Sequence, residues 1–125
     1  MRIGTWNIER MGRGQKFAEQ YKAKLESLNT DILVVTEPGP HFRDLFPEAL
    51  MSPEDRPGRE SPEAWVAIIG DNLEAITPEI QYSRLAVAAR AEIDGQYVIV
   101  YGSVLPWNSA QIGRASCRER VSSPV

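Results

Sequence analysis

Asp31-Ile32-Leu33-Val34-Val35-Thr36-Glu37-Pro38 constrains the fold of this chain more than any other stretch. Four consecutive aliphatic residues, three of them β-branched, read as a strand buried on both faces. Pro38 cannot donate to a continuing ladder, so the strand ends at Glu37. A carboxylate there projects at the rim of a sheet, where catalytic and metal-binding groups are often found. A solvated glutamate at an ordinary strand end is the competing reading.

The segments before this strand complete a unit around it. Arg2-Ile3-Gly4-Thr5-Trp6-Asn7-Ile8 carries strand-forming residue types, and Asn7 is a poor strand former placed near its end. Asn7 either serves a site or begins a turn. After the polar loop Glu9 to Gly14, Phe17, Tyr21, Leu25 and Leu28 recur at helical spacing, which predicts a helix over 15–28. Asn29 suits a left-handed helix end. Strand, helix and strand with short links imply a βαβ unit with parallel, neighbouring strands. In that arrangement Asn7 and Glu37 converge on one rim despite their separation in sequence.

The remainder reads as a loop followed by antiparallel strands. Residues 39–63 are rich in proline, glycine and charge, with a helical turn expected near Phe42 to Phe46 and a mobile acidic loop after Met51. His41, the single histidine, is expected to be an exposed loop residue. Ala64 to Gly70 reads as a buried strand, with a hairpin-like turn to a short partner at Leu73 to Ile76. Leu85, Val87, Ala89, Ala91 and Ile93 share one face of a strand, and Asp94-Gly95 signals a hairpin into the strand 96–105.

The length of 125 residues suits one domain that buries about two-thirds of its surface. No run is long enough to span a membrane. The opening stretch lacks a basic region followed by an apolar segment, so a cytoplasmic protein, or one separated from its leader, is expected. Cys117 is the single cysteine, which excludes an internal disulfide. It lies in Ile112 to Val121, a run that can be written as a translated sequencing-library adapter. Residues 111–125 are therefore set apart as a non-native tail, and 1–110 as the native part. The tail holds three arginines and one glutamate, so its removal takes the net charge from −3 to −5. An acidic domain is no general polyanion binder, and contact with nucleic acid would need a local basic patch. Arg10, Arg13 and Lys16, beside Asn7, could make one.

Thr5-Trp6-Asn7-Ile8, then Asp31 to Glu37, then Val100-Tyr101-Gly102-Ser103-Val104-Leu105-Pro106-Trp107-Asn108 together resemble the endonuclease/exonuclease/phosphatase superfamily over residues 2 to 108. The resemblance implies an α/β (α+β) fold: part of a four-layer α/β sandwich of mixed β-sheets flanked by helices, truncated to its N-terminal half. It implies hydrolysis of a phosphoester substrate, a nucleic acid or a small or lipid phosphodiester, with Mg2+ or Mn2+. Asn7 matches the asparagine that orients phosphate or nucleophile, and Glu37 the glutamate that binds metal. Asn7 and Glu9 are further metal candidates. Arg84 and Asn108 are candidate substrate contacts. Magnesium prefers hard oxygen ligands and keeps waters, so one carboxylate can anchor it.

Val104 and Leu105 stand where many members carry a catalytic tyrosine or histidine, and the late Asp/Asn and Asp-His pairs are absent. The fragment alone is therefore expected to bind metal weakly, catalyse little and expose sheet edges. The rival readings are a non-catalytic binding module on the same fold, which Val104 favours, and a small α/β domain without a site.

Overall fold

The computed structural model describes residues 1–11, 18–56, 58–77 and 83–105. Strand β1 (Ile3–Asn7) leads through a 3-10 turn at Glu9–Met11 towards helix α1 (Ala18–Ser27) and strand β2 (Ile32–Thr36). β1 and β2 pair in parallel, with Asn7 opposite Thr36, as the βαβ reading requires. Asn29 takes a left-handed φ of 51° at the end of α1. Helix α2 (Phe42–Leu45) and the two-residue strand β3 (Leu50–Met51) follow, then β4 (Val66–Gly70), β5 (Glu74–Ile76), β6 (Ala86–Ile93) and β7 (Gln96–Ser103). The first sheet runs β1-β2-β4-β3 and the second β5-β6-β7.

β2 is buried on both faces because its alternating side chains enter two cores. Leu33 and Val35 pack with Leu25 of α1, Phe42 of α2 and Ala67 of β4. Ile32 and, partly buried, Val34 point the other way, towards Ile68, Ala89, Ala91 and Val100 between the sheets. The sheets approach closely at Gly102, where an added Cβ would lie 2.9 Å from Val34 Cγ1 and 3.1 Å from Val66 Cγ2. The result is an α/β sandwich with helices, a mixed sheet and an antiparallel sheet as successive layers. The outer face of the second sheet shows Tyr97, Ile99 and Tyr101 to solvent. The described residues thus supply three of the four layers expected.

Two expectations need correction. Leu73 to Ile76 is not a hairpin partner of β4: β5 pairs with β6 in the other sheet. Both edges of β4 are already taken, by β2 and by β3, so the turn at Asp71-Asn72 hands the chain across the sandwich instead. The segment after Met51, expected to be a mobile acidic loop, buries Ser52, Arg56 and Glu63. Ser52 Oγ accepts from the backbone N–H groups of Trp65 at 3.1 Å and Val66 at 3.2 Å. The Arg56 N–H donates to the Glu63 carbonyl at 3.2 Å, closing the loop a second time. The Asp94-Gly95 hairpin forms as expected, with positive φ at both residues. The late residues of the final motif, Asn108 among them, and the tail 111–125 lie outside the described residues.

Candidate functional site

Parallel pairing of β1 with β2 delivers Asn7 and Glu37 to one rim, and the two loops beyond are joined there. Ile8 N–H donates to the Thr36 carbonyl at 3.2 Å, and Arg10 N–H to the Glu37 carbonyl at 2.7 Å. Gly39, at φ 85°, lies against the Arg10 backbone; a Cβ there would be 2.7 Å from the Arg10 carbonyl oxygen. Only glycine allows that approach in that conformation. Glu37 itself has φ 51°, a left-handed value uncommon for glutamate, and its N–H still donates to the Trp65 carbonyl at 2.9 Å. The strand therefore ends in a sharp turn anchored from both sides.

Asn7 Oδ1 accepts the Glu9 N–H at 2.9 Å, which fixes the amide orientation. Its NH2 group is left to donate to an anion. The same bond holds Glu9 beside Asn7, with the Glu9 side chain exposed. Glu37 Oε1 accepts from Arg56 Nη2 at 3.2 Å, leaving Oε2 outside that contact. The Arg56 guanidinium lies 3.9 Å from the centre of the Trp65 ring, a cation–π geometry. Its side chain is 4% exposed, and Nη1 has no hydrogen-bond partner among the described residues. Burial lowers the Arg56 pKa from its ordinary value, with Arg59 adding repulsion and Glu37 and Glu63 opposing the shift.

A second ion pair braces the same corner. Glu63 is wholly buried, and Arg10 grips it twice, Nε to Oε1 at 2.6 Å and Nη2 to Oε2 at 2.7 Å. Arg59 approaches it at 3.9 Å. These hydrogen bonds raise the Arg10 pKa above the ordinary arginine value. Arg10 thus holds the Glu37 loop through its backbone and the 52–65 loop through its side chain.

Arg84, an expected substrate contact, is exposed and pairs with Asp55 at 3.1 Å, next in sequence to Arg56. It borders the corner without touching Asn7 or Glu37 in any described contact. His41 is half-buried at the start of α2, rather than the exposed loop residue expected. The sequence reading missed Arg56 and Glu63. Their available signal was opposite charge on a loop, with Glu63 directly before a buried strand. A loop closing there must take those side chains inward in pairs.

No family model matches the chain, and no curated protein matches it in sequence. Solved structures do. The endonuclease domain of TRAS1, a telomere-specific non-LTR retrotransposon, aligns at TM-score 0.57 and 12% identity over 98% of this chain and 54% of its own. Humanized D. rerio TDP2 aligns at TM-score 0.51 and 15% identity over 99% of this chain and 57% of its own. Both are members of the endonuclease/exonuclease/phosphatase superfamily. This chain carries the endonuclease/exonuclease/phosphatase fold. It spans little more than half the length of either neighbour.

Within that fold, the Asn7–Glu37 rim offers hard oxygen donors: one carboxylate, an amide oxygen and the nearby Glu9. Magnesium and manganese accept such a set, completing their shells with water. No group of three or more His, Cys, Asp or Glu suited to a metal occurs among the described residues. One anchoring carboxylate is still enough for an ion that retains waters, and Glu37 Oε2 fits that part. No helix among the described residues is long and apolar enough to cross a membrane.

Proposed function

We propose that the chain is the N-terminal half of a divalent-metal-dependent phosphodiesterase or nuclease, with Glu37 as metal ligand and Asn7 as phosphate-orienting donor. The observation that carries this reading is the joining of two separate loops, after β1 and β2, into one rim bearing both residues. Asn7, with Oδ1 engaged by Glu9, directs N–H donors outward without adding charge that would repel phosphate. Glu37 would hold Mg2+ or Mn2+, with Glu9 beside it. A bound ion would polarise the phosphoryl oxygen and offset charge on the leaving oxygen. Arg84, on the bordering turn, would meet a phosphate beyond the scissile one. Asn108 remains a proposed substrate contact. The substrate class is a phosphodiester, nucleic acid or small molecule. Because it spans little more than half of either structural neighbour, the chain on its own would be a poor catalyst.

The test is magnesium-dependent hydrolysis of a generic phosphodiester by the product of the uninterrupted parent gene, with Glu37→Ala as control. Activity abolished by the substitution is expected. A folded parent that is inactive with or without it would favour the non-catalytic binding module. Val104, whose N–H is tied to the Leu85 carbonyl at 2.9 Å, supports that second reading by standing where a catalytic side chain is common.

A further inference from the structure

We infer that Arg56 is the resident counter-ion of Glu37 and competes with a divalent cation for its carboxylate, so that metal loading draws Glu37 away from the guanidinium. The inference rests on the metal role proposed for Glu37. It assigns Arg56 as a positioning residue that tunes cation affinity.

Three observations carry it. Arg56 Nη2 reaches Glu37 Oε1 at 3.2 Å, so a cationic group already occupies one oxygen of the proposed ligand. The guanidinium is held against Trp65 at 3.9 Å with its side chain 4% exposed, so it is a fixed charge rather than a solvated one. Its Nη1 is buried without a partner among the described residues, so losing Glu37 would leave the group still less satisfied. The buried carboxylate of the corner cannot take over readily, because both oxygens of Glu63 are engaged by Arg10.

Two effects then oppose the metal. An ion on Oε2 withdraws charge from the carboxylate and weakens the Oε1 bond to a buried cation that has few alternatives, and the incoming dication must approach that same positive charge. A neutral side chain of similar length removes both while retaining packing on Trp65. The sign is therefore opposite to that of an ordinary structural support, whose loss would weaken the site.

The decisive measurement is manganese binding to the parent gene product, followed by loss of the free-ion electron paramagnetic resonance signal. Wild type, Glu37→Gln, Arg56→Met and Arg56→Lys are compared. Glu37→Gln should abolish binding at this site. Arg56→Met should lower the dissociation constant at least fivefold, and Arg56→Lys, which keeps the charge, should stay closer to wild type. A folded Arg56→Met protein that binds less than fivefold tighter overturns the competition, while Glu37-dependent binding keeps the metal reading intact. Manganese binding that is absent, or indifferent to Glu37→Gln, overturns both.

A second readout needs no destabilising variant. In the wild type, the Arg56 Nε–H nuclear magnetic resonance signal should move saturably as magnesium is added, and Glu37→Gln should stop the movement. A stationary signal in a protein with Glu37-dependent manganese binding overturns the inference.

Discussion

Replacing Glu63 by leucine tests the brace behind the rim. Glu63 is completely buried, and both its oxygens are held by Arg10. Removing one member of a buried pair costs about 3–5 kcal/mol when the partner is left buried and uncompensated. Arg10 is not so confined: its side chain is 38% exposed, so a released guanidinium can turn partly into water. That relief brings the expected loss for Glu63→Leu to about 2–3 kcal/mol. Urea denaturation reads it as a lower midpoint at unchanged slope. The double variant Glu63→Leu, Arg10→Met removes the stranded charge and should recover at least half of the loss. A single-variant loss below about 1 kcal/mol would refute the reasoning, because a buried, doubly bonded carboxylate cannot be that dispensable. An equal loss in single and double variants would show that Arg10 is not the partner that matters.

Other perturbations probe the layers and the rim. Phe42 is fully buried between α2 and the first sheet, so Phe42→Ala should cost about 3–5 kcal/mol in the same assay. Gly102→Val places a side chain where Cβ alone would lie 2.9 Å from Val34, and should cost about 2–3 kcal/mol by overpacking the space between the sheets. Exposed Glu9 sits at φ 49°, so Glu9→Gly should be neutral or stabilising by up to about 1 kcal/mol, against the usual loss for glycine on a surface. Urea midpoints for Glu9→Gly and a surface control such as Glu19→Gly, on α1, would separate the two cases.

The parts of the fold written in local pattern were legible in the sequence. β2 announced itself by four aliphatic residues ahead of proline, and the topology of a strand, helix and strand then placed Asn7 with Glu37. Asp94-Gly95 gave its hairpin because two adjacent positive φ values demand such residues. The partnership of β5 was not legible. It depends on the short β3 occupying the free edge of β4, and two residues of strand leave almost no periodic signal. Arg56 and Glu63 were hidden for a different reason. Charged residues in a proline- and glycine-rich segment look solvated, and only the closed loop, with Trp65 and Arg10 as partners, makes their burial tolerable. The candidate site was thus visible where backbone topology defines it and invisible where long-range charge pairing does.

The backbone supplies an independent reason to regard this rim as more than a strand end. Six described residues other than glycine have positive φ: Glu9, Arg10, Asn29, Glu37, Asn72 and Asp94. Asn29, Asn72 and Asp94 are residue types that tolerate the left-handed region, and they sit at a helix end and two turns. Glu9, Arg10 and Glu37 are not, and all three belong to the rim. Their strain is supported locally, by the Arg10 N–H bonded to Glu37, by Gly39 packed on Arg10 and by Arg10 clamped on buried Glu63. Turns made only to reverse the chain would be easier with glycine or asparagine at these positions. Unfavourable residue types kept in strained conformations and joined across two loops fit a site whose side-chain chemistry matters more than the comfort of its backbone.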